Sequence, residues 1–314
     1  MTDKPDAPGG NPAPATVQTL SPSTVGEGAA APAKPKKLPG EMPPDKYTRE
    51  TITWIKPWTP HLFSFRTTRS PGFRFIPGQF ARLGVWREDG DPAEKKGPRW
   101  VWRAYSIASA NYDEFLEFYS IVVPDGEFTT KLASLKVGDE VLVEKTNYGF
   151  LTTDRFEGGR ELWLLSSGTG LAPFISILLD LAIWEQYERI VVVHSVRHAD
   201  ELAYRDTIEG LKDHEAFGEL LAESPGKVVY LPLITREQGH WPDGRPMLAK
   251  RITTALADGS LAAEAGVPLD PATSRVMICG NPTMVDDIRK QLAAMGFAVS
   301  RRGVPGTMAV ENYW

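Results

Sequence analysis

Two different rhythms of apolar and polar positions divide this chain. From Tyr47 to about Thr153, short runs alternate with a period of two, at residues 50–55, 61–66, 80–86, 117–123 and 140–145. Alternation rich in Val, Ile, Phe, Tyr and Trp marks half-buried strands. Pro71-Gly72, Pro77-Gly78 and Asp125-Gly126 punctuate the runs as turn signals. Several short strands at this spacing predict an antiparallel β-barrel or sandwich. One or two helical turns are expected at 129–135, and the polar stretch 87–99 reads as a loop. After Gly159 the rhythm changes. Residues 161–166 form a continuous apolar run of the buried, parallel kind. Helical patterns at 172–187, 201–211, 247–257 and 282–295 then alternate with strand patterns at 190–194, 228–234 and 276–279. That order predicts an α/β doubly wound parallel-sheet domain. The expected division is a barrel over 46–155 and the α/β half over 156–314.

Composition sets the first 45 residues apart. They hold ten of the 26 prolines, five glycines, seven alanines and no aromatic residue. Such a stretch buries too little apolar surface to offset its conformational entropy, so 1–45 is expected to be a disordered tail. It lacks both an apolar signal-peptide core and the arginines of a transit peptide. No apolar run approaches the ~18 residues a membrane helix needs. Cys279 is the only cysteine, which excludes an internal disulfide. These features lead to the expectation of a cytoplasmic protein, and a monomer, that engages neither membrane nor nucleic acid. His194 and His198 are spaced by four on a strand end, where their side chains diverge, so no metal site is expected. Net charge is −5, but residues 46–103 carry twelve Lys/Arg against five Asp/Glu. That asymmetry can steer an acidic partner to one face; ordinary surface arginines and a few ligand-binding ones explain it equally.

Three groups of residues carry candidate chemistry. Ser167-Gly168-Thr169-Gly170-Leu171-Ala172-Pro173 lies between the first parallel strand and its helix. Glycines there let the backbone approach a pyrophosphate, and proline suits the first helical turn. A structural turn is the competing reading. Past the second parallel strand, where an acidic residue selects a ribose hydroxyl, the chain carries Arg197 instead; Arg236 and Arg245 follow. Arginines converging on one spot would suit a 2′-phosphate, whereas each taken singly is an ordinary surface charge. The third group is Arg103-Ala104-Tyr105-Ser106, at the end of a strand-like run.

Arg103-Ala104-Tyr105-Ser106, Gly168-Thr169-Gly170-Leu171-Ala172-Pro173, Cys279-Gly280-Asn281-Pro282 and the terminal Val310-Glu311-Asn312-Tyr313-Trp314 occur in one order. In that order they resemble ferredoxin–NADP(H) reductases, specifically the bacterial branch that ends in an aromatic pair, over residues 47–314. The resemblance implies an FAD-binding barrel, an NADP-binding α/β half, and electron exchange with ferredoxin or flavodoxin; the charge asymmetry makes the basic 46–103 region the expected docking face. It implies that Tyr105 stacks on the flavin, that Ser106 sits at N5, and that Arg103 with Ala104 and the turn Glu127, Phe128, Thr129 engages the FAD pyrophosphate. Thr169 would lie beside flavin and nicotinamide. Tyr313 would cover the other flavin face and Trp314 the adenine. Arg197, Arg236, Arg245 and Asp287 would bind NADP(H). Cys279 is expected to pack against the nicotinamide, or to be a small buried apolar residue at a strand end. Glu311 is expected to share a proton route with Ser106, or to be an exposed terminal charge. Two other functions share this architecture: an NAD(P)H-dependent reductase of free flavin or of an oxygenase iron–sulfur partner, and a redox-sensing regulatory flavoprotein. No cysteine cluster for a fused iron–sulfur centre is present.

Overall fold

The alternating runs pair edge to edge into one antiparallel sheet. This computed structural model describes residues 38–88 and 97–312, and residues 38–314 make one compact unit by their contacts. The expected tail over 1–45 therefore falls mostly outside the described residues, as do 89–96 of the expected polar loop and Tyr313 and Trp314. The first sheet holds β1 (Tyr47–Pro57), β2 (Leu62–Thr68), β3 (Phe80–Arg87), β4 (Arg99–Ser106), β5 (Phe115–Ile121) and β6 (Glu140–Glu144), with α1 (Thr129–Ser134) before β6. Strand order is β4-β3-β6-β1-β2-β5. An antiparallel bridge between Ile107 and Phe118 ties the first strand of that order to the last and closes the barrel. Its interior is filled by the inward positions of the alternation, among them Phe65, Leu83, Leu116, Phe118 and Val143. Each such side chain contributes about 2 kcal/mol when fully buried.

The second sheet is parallel, in the order β11-β10-β7-β8-β9. Its strands are β7 (Glu161–Ser167), β8 (Arg189–Val196), β9 (Val228–Ile234), β10 (Ser274–Gly280) and β11 (Met308–Asn312). The helices between them are α2 (Ala172–Leu178), α3 (Leu181–Gln186), α4 (Arg205–Glu209), α5 (Gly218–Glu223), α6 (Ile252–Ala257), α7 (Ser260–Ala265) and α8 (Pro282–Ala294). Both sheet faces are covered, which is why β7, β8 and β10 read as unbroken apolar runs. One covering layer includes the side chains of α2 and α4 together with Leu62, Ala108 and Tyr119 of the barrel, so the two halves share a core.

Three expected helices differ. The pattern over 172–187 is broken into α2 and α3, because the Asp180 carboxylate accepts the Ala182 amide at 3.2 Å and starts a new helix. The expected helix over 201–211 shrinks to α4 flanked by 3-10 turns. The third, expected from 247, begins only at Ile252: Leu248 bridges β9 in parallel, with Ile234 N donating to Leu248 O at 3.1 Å. Among the described residues no helix is long and apolar enough to cross a membrane.

Candidate active site

The ends of β4 and β5 open into a cavity of about 330 Å³. It is lined by Arg103, Ala104, Tyr105 and Ser106 from β4, by Tyr119 and Ser120 from β5, and by Glu127, Phe128 and Thr129 after the Asp125-Gly126 turn. Thr169, from the α/β half, completes the wall. The Tyr105 hydroxyl shares a hydrogen bond with Ser120 Oγ at 2.9 Å, and its ring rests 5.4 Å from Phe128. Burial pushes the phenol up to about 12, with the Ser120 bond and the Arg103 charge opposing, so Tyr105 stays neutral. Glu127 gathers arginines: Arg99 pairs with Oε1, Arg103 stands 4.0 Å from Oε2, and Arg87 Nη1 donates to its carbonyl at 2.6 Å. The Arg103 side chain remains 55% exposed, free to face an anion at the cavity mouth.

Two residues of this lining, Ser106 and Tyr119, bury a hydroxyl oxygen with no hydrogen-bond partner among the described residues, and so does Glu311 with Oε2, outside the lining. Buried polar atoms are almost always satisfied, so an orphaned group in a cavity wall fits a bound polar ligand. Glu311 is connected to Ser106 only through intervening residues. Ser106 is the register partner of Phe80, Phe80 and Tyr148 exchange two backbone bonds of 2.9 Å, and Glu311 Oε1 approaches Gly149, the next residue. Burial pushes the Glu311 carboxyl up to about 7.

A second cavity, of about 370 Å³, runs along the C-terminal ends of the parallel strands, where ligands of open α/β sheets bind. Ser167, Gly168 and Thr169 follow β7; Ser195, Arg197 and Glu201 follow from β8; Gly280 and Asn281 follow from β10. Thr169 lines both cavities. The turn is tight because Gly170 lies against the end of β10: a Cβ there would sit 2.4 Å from the Cys279 carbonyl oxygen. A third cavity, of about 340 Å³, shares Ser167, Ser195 and Asn281 with the second and adds Arg251, Thr253 and Asp287.

The expected residues divide accordingly. Arg103, Ala104, Tyr105, Ser106, Glu127, Phe128, Thr129 and Thr169 come together in one wall. Arg197 and Asp287 line the other two cavities. Arg197 donates to Glu201 at 3.0 and 2.7 Å; those bonds hold the Glu201 carboxyl below its ordinary value against the opposing effect of burial. Arg236 is exposed and outside the cavity lining, although its backbone N–H donates to Arg197 O at 2.9 Å. Arg245 does not join them: its guanidinium binds Asp243 at 2.7 Å on an exposed turn. Cys279 is fully buried in the shared core and lines none of the three cavities, while its neighbours Gly280 and Asn281 do. Sequence reasoning missed Arg251, Thr253 and Glu201. The signal for Arg251 was the Arg251-Ile252-Thr253 run at the true start of α6, hidden by the expected longer helix.

Comparison with known proteins agrees with this geometry. Residues 164–290 match the family described as oxidoreductase NAD-binding domain. Ferredoxin–NADP reductase of Pseudomonas aeruginosa is 42% identical over 273 residues, which cover 85% of this chain and 96% of that protein. The flavodoxin/ferredoxin–NADP reductase of Rhodobacter capsulatus is 36% identical, covering 87% and 94%. A ferredoxin NADP+ reductase from Neisseria gonorrhoeae, solved with bound FAD and NADP, superposes with a TM-score of 0.74 at 34% identity, covering 86% of this chain and 99% of that one.

Proposed function

The chain belongs to the ferredoxin–NADP reductase family, and from that premise we propose how its own residues carry the reaction. The enzyme moves a hydride between NADPH and FAD, and single electrons to or from ferredoxin or flavodoxin. When bound, FAD supplies a ring that accepts a hydride and releases electrons one at a time. The barrel half, 46–155, holds FAD in the first cavity, and the α/β half, 156–314, holds NADP(H) in the second and third. One observation carries this reading: Thr169 lines both cavities, so two ligands in them would meet beside it.

Each residue then has a task. Tyr105 offers a neutral ring as a platform, and Ser106 Oγ donates or accepts at the ring edge. Arg103, with the amides around Glu127, faces the pyrophosphate, where charge-assisted bonds are strongest. Arg197 and Arg251 supply the positive charge for the 2′-phosphate, with Asp287 beside Arg251. Asn281 caps α8 by accepting the Thr283 and Met284 amides at 3.0 and 3.3 Å, which fixes the end of β10 against the nicotinamide side. Cys279 acts there through packing, holding the Gly170 turn and the Gly280-Asn281 pair in place. Glu311, whose carboxyl burial pushes up to about 7, exchanges a proton near neutral pH, and its proposed route to Ser106 runs past the Tyr148-Gly149 segment. Tyr313 and Trp314 follow β11 directly; their proposed places are the open flavin face and the adenine.

The electron partner docks on the basic 46–103 region. Several arginines of that region are occupied by carboxylates, as in the Arg49–Glu140, Arg66–Glu117 and Arg82–Glu144 pairs. Arg74 and the exposed apolar Ile76, with Tyr148 and Phe150 beyond, leave a mixed face suited to an acidic carrier with an apolar rim. The protein is read as a cytoplasmic monomer whose one cysteine is a buried thiol. The test is direct. The purified protein is yellow, is reduced anaerobically by NADPH at least about tenfold faster than by NADH, and then reduces cytochrome c only with ferredoxin or flavodoxin added. Equal rates with both nucleotides, or full activity without a carrier, would overturn the assignment.

A further inference from the structure

His194 is fully buried in β8, register-paired with Ser166, and lines none of the three cavities described above. Its Nε2 lies 3.2 Å from the carbonyl oxygen of Gly168. A carbonyl only accepts, so Nε2 must carry the proton and donate. Nδ1 is buried without a partner among the described residues. Burial drives the imidazole down to about 4, with the Gly168 bond opposing. A neutral ring has one proton, and the contact with Gly168 fixes it on Nε2.

Gly168 and Thr169 share one peptide plane. In a trans peptide the carbonyl and the following N–H point in opposite directions. Aiming Gly168 O at His194 therefore aims the Thr169 N–H away from β8. Gly170 is held against β10, but at Gly168 itself the turn is open: φ is +53°, and a Cβ built there meets no atom within 4 Å. A glycine in open space is a soft joint, and a single bond from a rigid, buried strand residue can set its orientation.

We infer that His194 is a positioning residue for hydride transfer. By holding the Gly168 carbonyl, it orients the Thr169 amide and side chain at the junction of the two cavities. The inference rests on the reading of those cavities as the FAD and NADP(H) sites. It assigns His194 no contact with either ligand.

Substitutions at His194 and three readouts test it. His194→Leu fills the space and removes the donor; His194→Gln keeps an amide donor within reach. His194→Leu lowers the hydride-transfer rate at saturating NADPH by about tenfold or more, because small misplacements of a reacting pair are costly. Its affinity for 2′-phospho-AMP, which carries only the adenosine end, stays within about twofold. The Thr169 amide resonance of labelled holoenzyme moves in His194→Leu and returns toward its original position in His194→Gln, along with the rate. A folded, FAD-loaded His194→Leu enzyme with wild-type rate and an unmoved Thr169 amide overturns the inference. If His194→Leu does not fold, His194→Asn, whose amide falls short, takes its place: a slow Asn variant beside a fast Gln variant supports the role, and equal rates refute it. A wild-type protein that NADPH does not reduce would instead sink the family reading, and the Thr169 resonance would still report the hold of His194 on the turn.

Discussion

Ser106 and Glu311 each bury an oxygen that no described protein group satisfies. Such an atom costs about 1–3 kcal/mol of stability, so its retention argues for use by a ligand. Ser106→Ala therefore keeps the fold and the FAD but slows reduction by NADPH, by about 10- to 100-fold in a stopped-flow measurement. Loss of FAD at an unchanged reduction rate would place Ser106 outside the chemistry. Glu311 adds a pH dependence with a definite sign. Burial raises its carboxyl from 4.5 to about 7, so between those values the folded state holds a proton that the unfolded state has released. Stability contributed at this site is unchanged below about 4.5, falls as pH rises toward 7, and stays low above it. Glu311→Gln removes that slope and, above pH 7, melts higher than the wild type by an amount on the order of 1 kcal/mol. The same variant loses the limb of the rate profile that declines as Glu311 ionises; a profile identical to the wild type's would exclude Glu311 from the proton route.

At the scale of elements, the strands were legible and several helices were not. β9 follows the expected run from Val228 to Ile234 residue for residue, since a buried strand needs only apolar side chains and bounding turns. The helices failed where a single long-range contact decides. The Leu248 bridge to β9 has no signature in local periodicity, yet it delays α6 to Ile252 and delivers Arg251 to the third cavity. Arg245, which the sequence places equally well, is diverted into a turn closed by Trp241 N donating to its carbonyl at 2.8 Å. The site shows the same division. Arg103-Ala104-Tyr105-Ser106 and the Glu127 turn meet because they occupy neighbouring strand ends. β11, read only as a terminal motif, is the parallel partner of β10 that brings Glu311 beside Cys279. Arg251→Ala is therefore expected to weaken NADPH binding about 10- to 100-fold with little change for NADH. Arg245→Ala leaves both within about twofold. Titration of the oxidised enzyme with NADP+ and NAD+ distinguishes the two arginines, and the opposite ranking would return the 2′-phosphate to the Arg245 turn.

For the whole molecule, catalysis requires the barrel and the parallel sheet to keep one registry, and a buried relay at their seam does this. Tyr204, from the α/β half, lies at φ 61°, a left-handed conformation that costs an aromatic residue on the order of 1 kcal/mol or more. In that conformation its hydroxyl reaches two barrel strands: it donates to Glu117 Oε1 at 2.7 Å and meets Ser64 Oγ at 2.6 Å. Because the carboxylate can only accept, Ser64 donates to Tyr204 while accepting from Trp58 Nε1 at 2.9 Å. Arg66 holds the other Glu117 oxygen at 2.7 Å and balances its charge. Burial, with the Glu117 charge second, keeps the phenol well above its ordinary value, so the relay keeps its proton across the working pH range. Tyr204→Phe retains the ring packing against Trp58 and Tyr119 but strands Glu117 Oε1 and the Ser64 hydroxyl. The expected cost is about 1–3 kcal/mol in denaturant unfolding. Since Tyr204 touches neither ligand cavity at Thr169, FAD content stays full, and any fall in hydride-transfer rate reports the angle between the halves. A Tyr204→Phe enzyme that loses stability yet transfers hydride at the wild-type rate would show that the shared core alone, through α2 and Leu62, sets that angle.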